Sequence, residues 1–141
     1  VEDDALNDHL ERMAGAEGII LASPVYFSDV SAEMKALIDR AGMVSRVNDD
    51  MLRRKVGAGI DVARRGGAIH TFDTLNHFFQ IGQMIIPGSS YWNVGIGRDP
   101  GEVREDEEGE VPVGLRRRAL PLLEMLERAA GAGCGVHWDR G

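Results

Sequence analysis

Three short apolar runs, separated by amphipathic stretches, restrict this chain to one class of architecture. Ile19-Ile20-Leu21-Ala22 is the first run. Successive apolar residues over so short a length predict a strand buried on both faces. Ser23-Pro24 should stop it, because Pro24 has no N–H to give to a ladder. Lys55 to Val62 reads as the second strand, with small residues that let a helix or ligand approach closely. Met84-Ile85-Ile86 reads as the third, stopped by Pro87-Gly88.

Helical periodicity fills the intervals. Residues 3–14 put Leu6, Leu10 and Met13 on one stripe, ended by Ala16-Glu17-Gly18. Val30, Met34, Leu37, Ile38 and Ala41 recur at helical spacing. Asp29 near the start and Arg40 near the end of that helix complement its dipole, and Gly42 should close it. Residues 43–54 are polar and basic, which predicts a loop with a short turn. Thr71 to Gln83 forms a third helix with Phe72, Leu75, Phe79 and Gly82 inward and Phe78 beside them. A fourth runs from Val113 to Ala130 on Leu115, Ala119, Leu122, Leu123 and Leu126. The order α–β–α–β–α–β–α predicts a parallel sheet with helices on both faces, a three-layer α/β/α sandwich. One domain over 1–130 and a Gly-rich flexible tail over 131–141 are expected.

Composition narrows the function. Of 141 residues 43% are hydrophobic, enough for a single core. A formal net charge of −7 disfavours binding to a phosphate backbone, so no nucleic-acid partner is expected. No apolar run approaches the roughly 20 residues of a membrane span. The lone cysteine, Cys134, forms no internal disulfide or thiolate cluster and suits a cytoplasmic location. His9, His70, His77 and His137 have no metal-ligand spacing. Ser23, Ser31, Ser89 and Ser90 lack a nucleophile elbow. Asp61 sits near a strand end without a carboxylate partner. With no acid–base pair in view, an enzyme of this kind takes its chemistry from a cofactor.

In open parallel sheets ligands lie beyond the strand carboxyl ends. Three segments should occupy that edge: Ser23–Ser28, Ala63–Ala68 and Pro87–Asn93. In the first, Tyr26 and Phe27 offer flat apolar surface beside backbone groups that Pro24 frees from a ladder; the plainer reading is a strand-to-helix connection. In the second, Gly66 and Gly67 permit positive φ and close backbone approach. Arg64 and Arg65 there either meet a phosphate or carbonyl edge or are solvated. In the third, Trp92 either covers a ligand or sits at a subunit contact. His70 near this edge is either a proton partner or a solvated histidine. The acidic stretch from Asp99 to Glu110 and the Arg116-Arg117-Arg118 cluster read as solvated faces.

The run Ser23-Pro24-Val25-Tyr26-Phe27-Ser28 … Ser31 … Met34-Lys35-Ala36-Leu37-Ile38-Asp39-Arg40 resembles the flavodoxin-like NAD(P)H-dependent FMN reductase family, in its iron–sulfur-flavoprotein-like and multimeric-flavodoxin branches. The likeness continues through Arg64-Arg65-Gly66-Gly67-Ala68, Met84 to Asn93, Gly95 to Arg98 and the acidic stretch, covering about residues 3–110. It implies a flavodoxin-like sandwich and an FMN cofactor that receives hydride from NAD(P)H and reduces a flavin, quinone or other small acceptor. By the same resemblance Ser23, Pro24, Val25, Tyr26 and Phe27 would line the flavin. Ala63, Arg64, Arg65, Gly66 and Gly67 would meet its pyrimidine edge, and Trp92 and Asn93 would lie near the ring or at a subunit interface. A homodimer or homotetramer follows from the resemblance too. The chain departs from the pattern in having Ser28 where the family has Gly. It also begins after the family's first strand, phosphate loop, second strand and cysteine cluster, so it reads as the C-terminal three-quarters of such a fold. A flavin-free scaffold that mediates interaction or oligomerisation is the alternative function.

Overall fold

The computed structural model describes residues 5–89 and 92–106. The helix expected over 113–130, the tail over 131–141, Ser90 and Tyr91 lie outside them. Helix α1 (Leu6–Gly15) buries Leu6, Leu10 and Met13, as its spacing predicts. Strand β1 spans Gly18–Pro24, α2 spans Ala32–Val47, β2 spans Val56–Ala63 and α3 spans Ala68–Ile81. A short strand, β3 (Val94–Ile96), and a 3₁₀ turn at Glu102–Glu105 follow.

The three strands form one parallel sheet in the order β1-β2-β3. Registry sets Ile19, Leu21 and Ser23 beside Gly57, Gly59 and Asp61. This row meets the helices. Leu6, Leu10, Met13, Ile19, Leu21, Ala41, Leu75, Phe78 and Phe79 pack into one core. Two glycines let α3 press on β2: a Cβ on Gly57 would stand 2.5 Å from the Phe79 ring, and one on Gly59 3.0 Å from Leu75 Cβ. The α3 helix therefore lies almost on the strand backbone, and its position sets the height of the loop before it.

Three expectations are corrected. First, β1 is not buried on both faces among the described residues: burial alternates along it and Ile20 is 62% exposed. Second, α2 does not close at Gly42 but runs on to Val47, so the first part of the predicted 43–54 loop is helical. A Cβ at Gly42 would make only ordinary contact with Phe78, at 3.9 Å, so the helix continues through this glycine rather than being capped by it. Ser31 starts α2 instead, its Oγ accepting from the Met34 amide at 3.3 Å. Third, Met84-Ile85-Ile86 is not the third strand. Ile85 makes an isolated parallel bridge to Val56, the chain detours, and β3 pairs with the far end of β2 through Asp61↔Val94, Val62↔Gly95 and Ala63↔Ile96. The outer strand is thus split along β2.

Candidate functional site at the strand carboxyl ends

The segment after β1 folds as a tight reversal. The Tyr26 amide donates to Asp29 O at 2.8 Å and the Asp29 amide to Tyr26 O at 3.1 Å. The two residues between them, Phe27 and Ser28, have φ of 50° and 65°. Two positive φ values in a two-residue loop define a type I′ reversal, which normally takes Asn-Gly. Side chains there cost of order 1 kcal/mol each. Phe27 recovers nothing by packing, since it is fully exposed, and Tyr26 is 60% exposed. Uncompensated strain with an aromatic ring in solvent is a pattern of functional sites. The departure at Ser28 adds to this strain: the position holds the conformation that glycine adopts freely.

The segment after β2 lies against this reversal. The Val25 amide donates to Val62 O at 2.9 Å. Gly67, with φ 89°, is the residue before α3, and a Cβ on it would stand 2.7 Å from Ser28 Cα and 3.0 Å from Val25 Cγ1. Only glycine lets the two loops touch at this point. Gly66 faces open space. Among the described residues the amides of Phe27, Ser28, Arg65 and Gly66 donate to nothing.

Asp29 ties the reversal to α3. Burial pushes its carboxyl up, but the Val30 amide at 2.7 Å, the Thr74 hydroxyl and the His70 and Lys35 charges outweigh this and hold it below the usual carboxylate range. His70 Nε2 stands 3.6 Å from Asp29 Oδ2 and is itself exposed.

The third loop is a different one from that expected. The Gly97 amide donates to Ala63 O at 3.0 Å, so Gly97-Arg98 adjoins the carboxyl end of β2. Arg64, Arg65 and Arg98 are all exposed there and have no carboxylate partner among the described residues. This concentrates positive charge on one edge of an acidic chain. Sequence reasoning missed Arg98 because the strand before it was misplaced.

Trp92 and Asn93 lie alongside β2 rather than beyond its end. Asn93 O accepts from the Asp61 amide at 3.1 Å, and Asn93 Nδ2 donates to Gly59 O at 3.1 Å. Trp92 packs edge-on against Phe72 of α3, ring centroids 6.1 Å apart. The structure therefore joins Ser23–Ser28 with Ala63–Gly67 and sets Trp92 and Asn93 apart.

Asp61 is the other residue sequence reasoning undervalued. It is fully buried, neither carboxyl oxygen has a hydrogen-bond partner among the described residues, and burial pushes its pKa up to about 7. It lies on the helix-facing row, two residues before the loop. Among the described residues no group of three or more His, Cys, Asp or Glu could hold a metal, and no helix is long and apolar enough to cross a membrane.

Comparison with known proteins identifies the family and the fold. Residues 1–99 match the family model described as NADPH-dependent FMN reductase, and residues 97–138 match a domain of unknown function. An iron–sulfur flavoprotein of Methanocaldococcus jannaschii is 35% identical over 89% of this chain and 68% of its own length. One from Methanosarcina thermophila is 35% identical over 91% of this chain and 67% of that protein. The chain thus spans about two-thirds of these relatives. Among solved structures, a WrbA-like flavodoxin from Agrobacterium tumefaciens aligns with TM-score 0.67 at 16% identity, over 84% of this chain and 73% of that one. RosB with a bound 8-demethyl-8-formylriboflavin-5′-phosphate aligns with TM-score 0.66 at 18% identity, over 99% and 63%. The fold is flavodoxin-like α/β, and the chain belongs to the NADPH-dependent FMN reductase family, a family of flavin-associated oxidoreductases.

Proposed function

We propose that this chain holds FMN against the Ser23–Phe27 and Ala63–Gly67 loops and serves an oxidoreductase that moves electrons from NAD(P)H to a flavin, quinone or other small acceptor. The observation that carries this reading is the strained Phe27-Ser28 reversal set beside unpaired amides. The residues present fit the cofactor. Free amides at Phe27, Ser28, Arg65 and Gly66 match the carbonyl edge of a flavin, which otherwise needs donors in a partly dry site. Tyr26 and Phe27 offer ring faces. Arg64, Arg65 and Arg98 offset the charge of an anionic cofactor. Bound FMN supplies the two-electron chemistry. The chain's part is to donate to the ring edge, to keep the loops in register through Gly67, and to leave Phe27 at the open side. Exposed Met43, Val47 and Ile81 on α2 and α3 support self-association as part of the same reading.

Titrating FMN with the 141-residue chain and following flavin fluorescence tests this. Saturable quenching is expected. Phe27→Gly relieves the left-handed strain, so it should raise stability by about 1 kcal/mol while weakening FMN binding at least tenfold. Gly67→Val should weaken binding further by forcing the two loops apart. No quenching, or unchanged affinity in Phe27→Gly, overturns the reading and leaves the flavin-free scaffold.

A further inference from the structure

The outward side of α2 carries a self-complementary pattern. Lys35, Asp39, Met43 and Arg46 recur at i, i+4, i+8 and i+11, and Asp50 follows four residues later, just past the end of the helix. This spacing keeps them on one stripe. Lys35 Nζ stands 2.6 Å from Asp39 Oδ1, and Arg46 Nη1 stands 3.3 Å from Asp50 Oδ1. Gln83 Nε2 also donates to Asp50 Oδ2 at 3.1 Å. The stripe therefore reads cation, anion, methionine, cation, anion, with the charges held in place.

Apolar surface accompanies it. Met43 is 66% exposed, Val47 one turn on is 74% exposed, and Ile81 of α3 is 64% exposed. Met43, Phe78 and Ile81 help to line a groove of about 820 Å³ between α2 and α3. An apolar patch bordered by charge marks an interaction surface.

The order of the charges selects the occupant. A second copy laid antiparallel along α2, with the two-fold axis beside Met43, sets Asp39 opposite Arg46 of the partner subunit. The same axis sets Lys35 opposite Asp50 of the partner subunit and brings the two Met43 side chains together. A parallel copy in register would set each charge against its like. One patch thus supplies both halves of its own complement, as a two-fold interface requires. Ion pairs that gain little on an exposed helix gain more once a second copy excludes water from them.

We propose that α2 is the two-fold interface of a homodimer and packs antiparallel on α2 of a second copy through the stripe from Lys35 to Asp50. This specifies the self-association put forward above and draws on no contact of the cofactor loops.

Sedimentation equilibrium of the 141-residue chain without FMN should give twice its 15.4 kDa. Met43→Asp, at an exposed position, should weaken the dimer at least tenfold with the helical circular dichroism unchanged. With Cys134→Ser as background and oxidised glutathione as oxidant, Met43→Cys should give a disulfide-linked dimer. The double variant Asp39→Cys, Arg46→Cys should also link. Lys35→Cys should not, since Lys35 and Lys35 of the partner subunit stand about 22 Å apart along the helix axes, beyond the reach of a disulfide. A chain that stays monomeric, as it would if residues 107–141 of the same chain covered this face, overturns the proposal. So does a dimer that Met43→Asp leaves intact, or one in which Lys35→Cys links as fast as Met43→Cys. If the mass doubles and Met43→Cys links while FMN fails to bind, the cofactor reading falls and the interface stands.

Discussion

Replacing Asp61 by Asn should flatten a pH dependence of stability that the wild-type chain carries. The carboxyl is fully buried with no partner for either oxygen among the described residues, and burial moves its pKa from 3.8 to about 7. In the unfolded chain the group ionises near 3.8. Between these two values the folded chain binds one proton more than the unfolded chain, so stability falls by roughly 1.4 kcal/mol for each pH unit. Below pH 3.8 both states are protonated and there is no penalty; above pH 7 both are ionised and the penalty is complete, about 4 kcal/mol in total. An assay at pH 4.5 and pH 8 samples about 3 kcal/mol of it. The amide of Asn is also buried without a partner, but its cost does not change with pH. Urea unfolding of wild type and Asp61→Asn at the two pH values should therefore show the variant gaining about 3 kcal/mol on the wild type as pH rises. Two stability profiles that stay parallel from pH 4.5 to 8 refute the reasoning, and with it the view that the carboxyl is neutral when buried.

Two further expectations concern the scaffold. Gly57→Ala places a methyl 2.5 Å from the Phe79 ring and should destabilise by about 2 kcal/mol; pairing it with Phe79→Leu should give a coupling of at least about 0.5 kcal/mol in a double-mutant cycle read by thermal unfolding. Ser31→Ala removes the oxygen that accepts from the Met34 amide and should cost about 1 kcal/mol in urea unfolding, with FMN affinity unchanged.

Much of the fold was legible because burial imposes periodicity. Leu6, Leu10 and Met13 read as a helical stripe, and Lys55 to Val62 read as a strand that something presses on closely, within one residue at each end of the observed β2. The errors have specific causes. Gly42 carries the signature of a helix end, yet α2 runs through it to Val47, and a Cβ there would make only ordinary contact with Phe78. Met84-Ile85-Ile86 is apolar enough for a buried strand, yet a single bridge engages it, and the true pairing falls to the unremarkable Val94-Gly95-Ile96. That shift carried Trp92 and Asn93 away from the strand ends and brought Arg98 to them. The reversal at Phe27-Ser28 was hidden because its sequence contains no residue that prefers positive φ. Asp61 looked like a strand-end residue, although the alternation of β2 places it on the helix-facing side, where nothing solvates it.

The acidic stretch expected to be a solvated face proves to be structural at its start. Asp106 Oδ2 takes the outward Ile96 amide at 2.7 Å, and Glu102 Oε2 takes the Arg98 and Asp99 amides at 2.7 and 2.8 Å. Those two backbone donors hold the Glu102 carboxyl below its ordinary pKa. An exposed rim of a sheet ordinarily invites the strand of another molecule to add to it. Here the donor such a strand would seek at Ile96 is already occupied by a carboxylate, whose charge repels the carbonyl oxygens of a newcomer. Protection of this border from intermolecular strand addition is thus tied to ionisation, and it weakens once acid protonates these side chains.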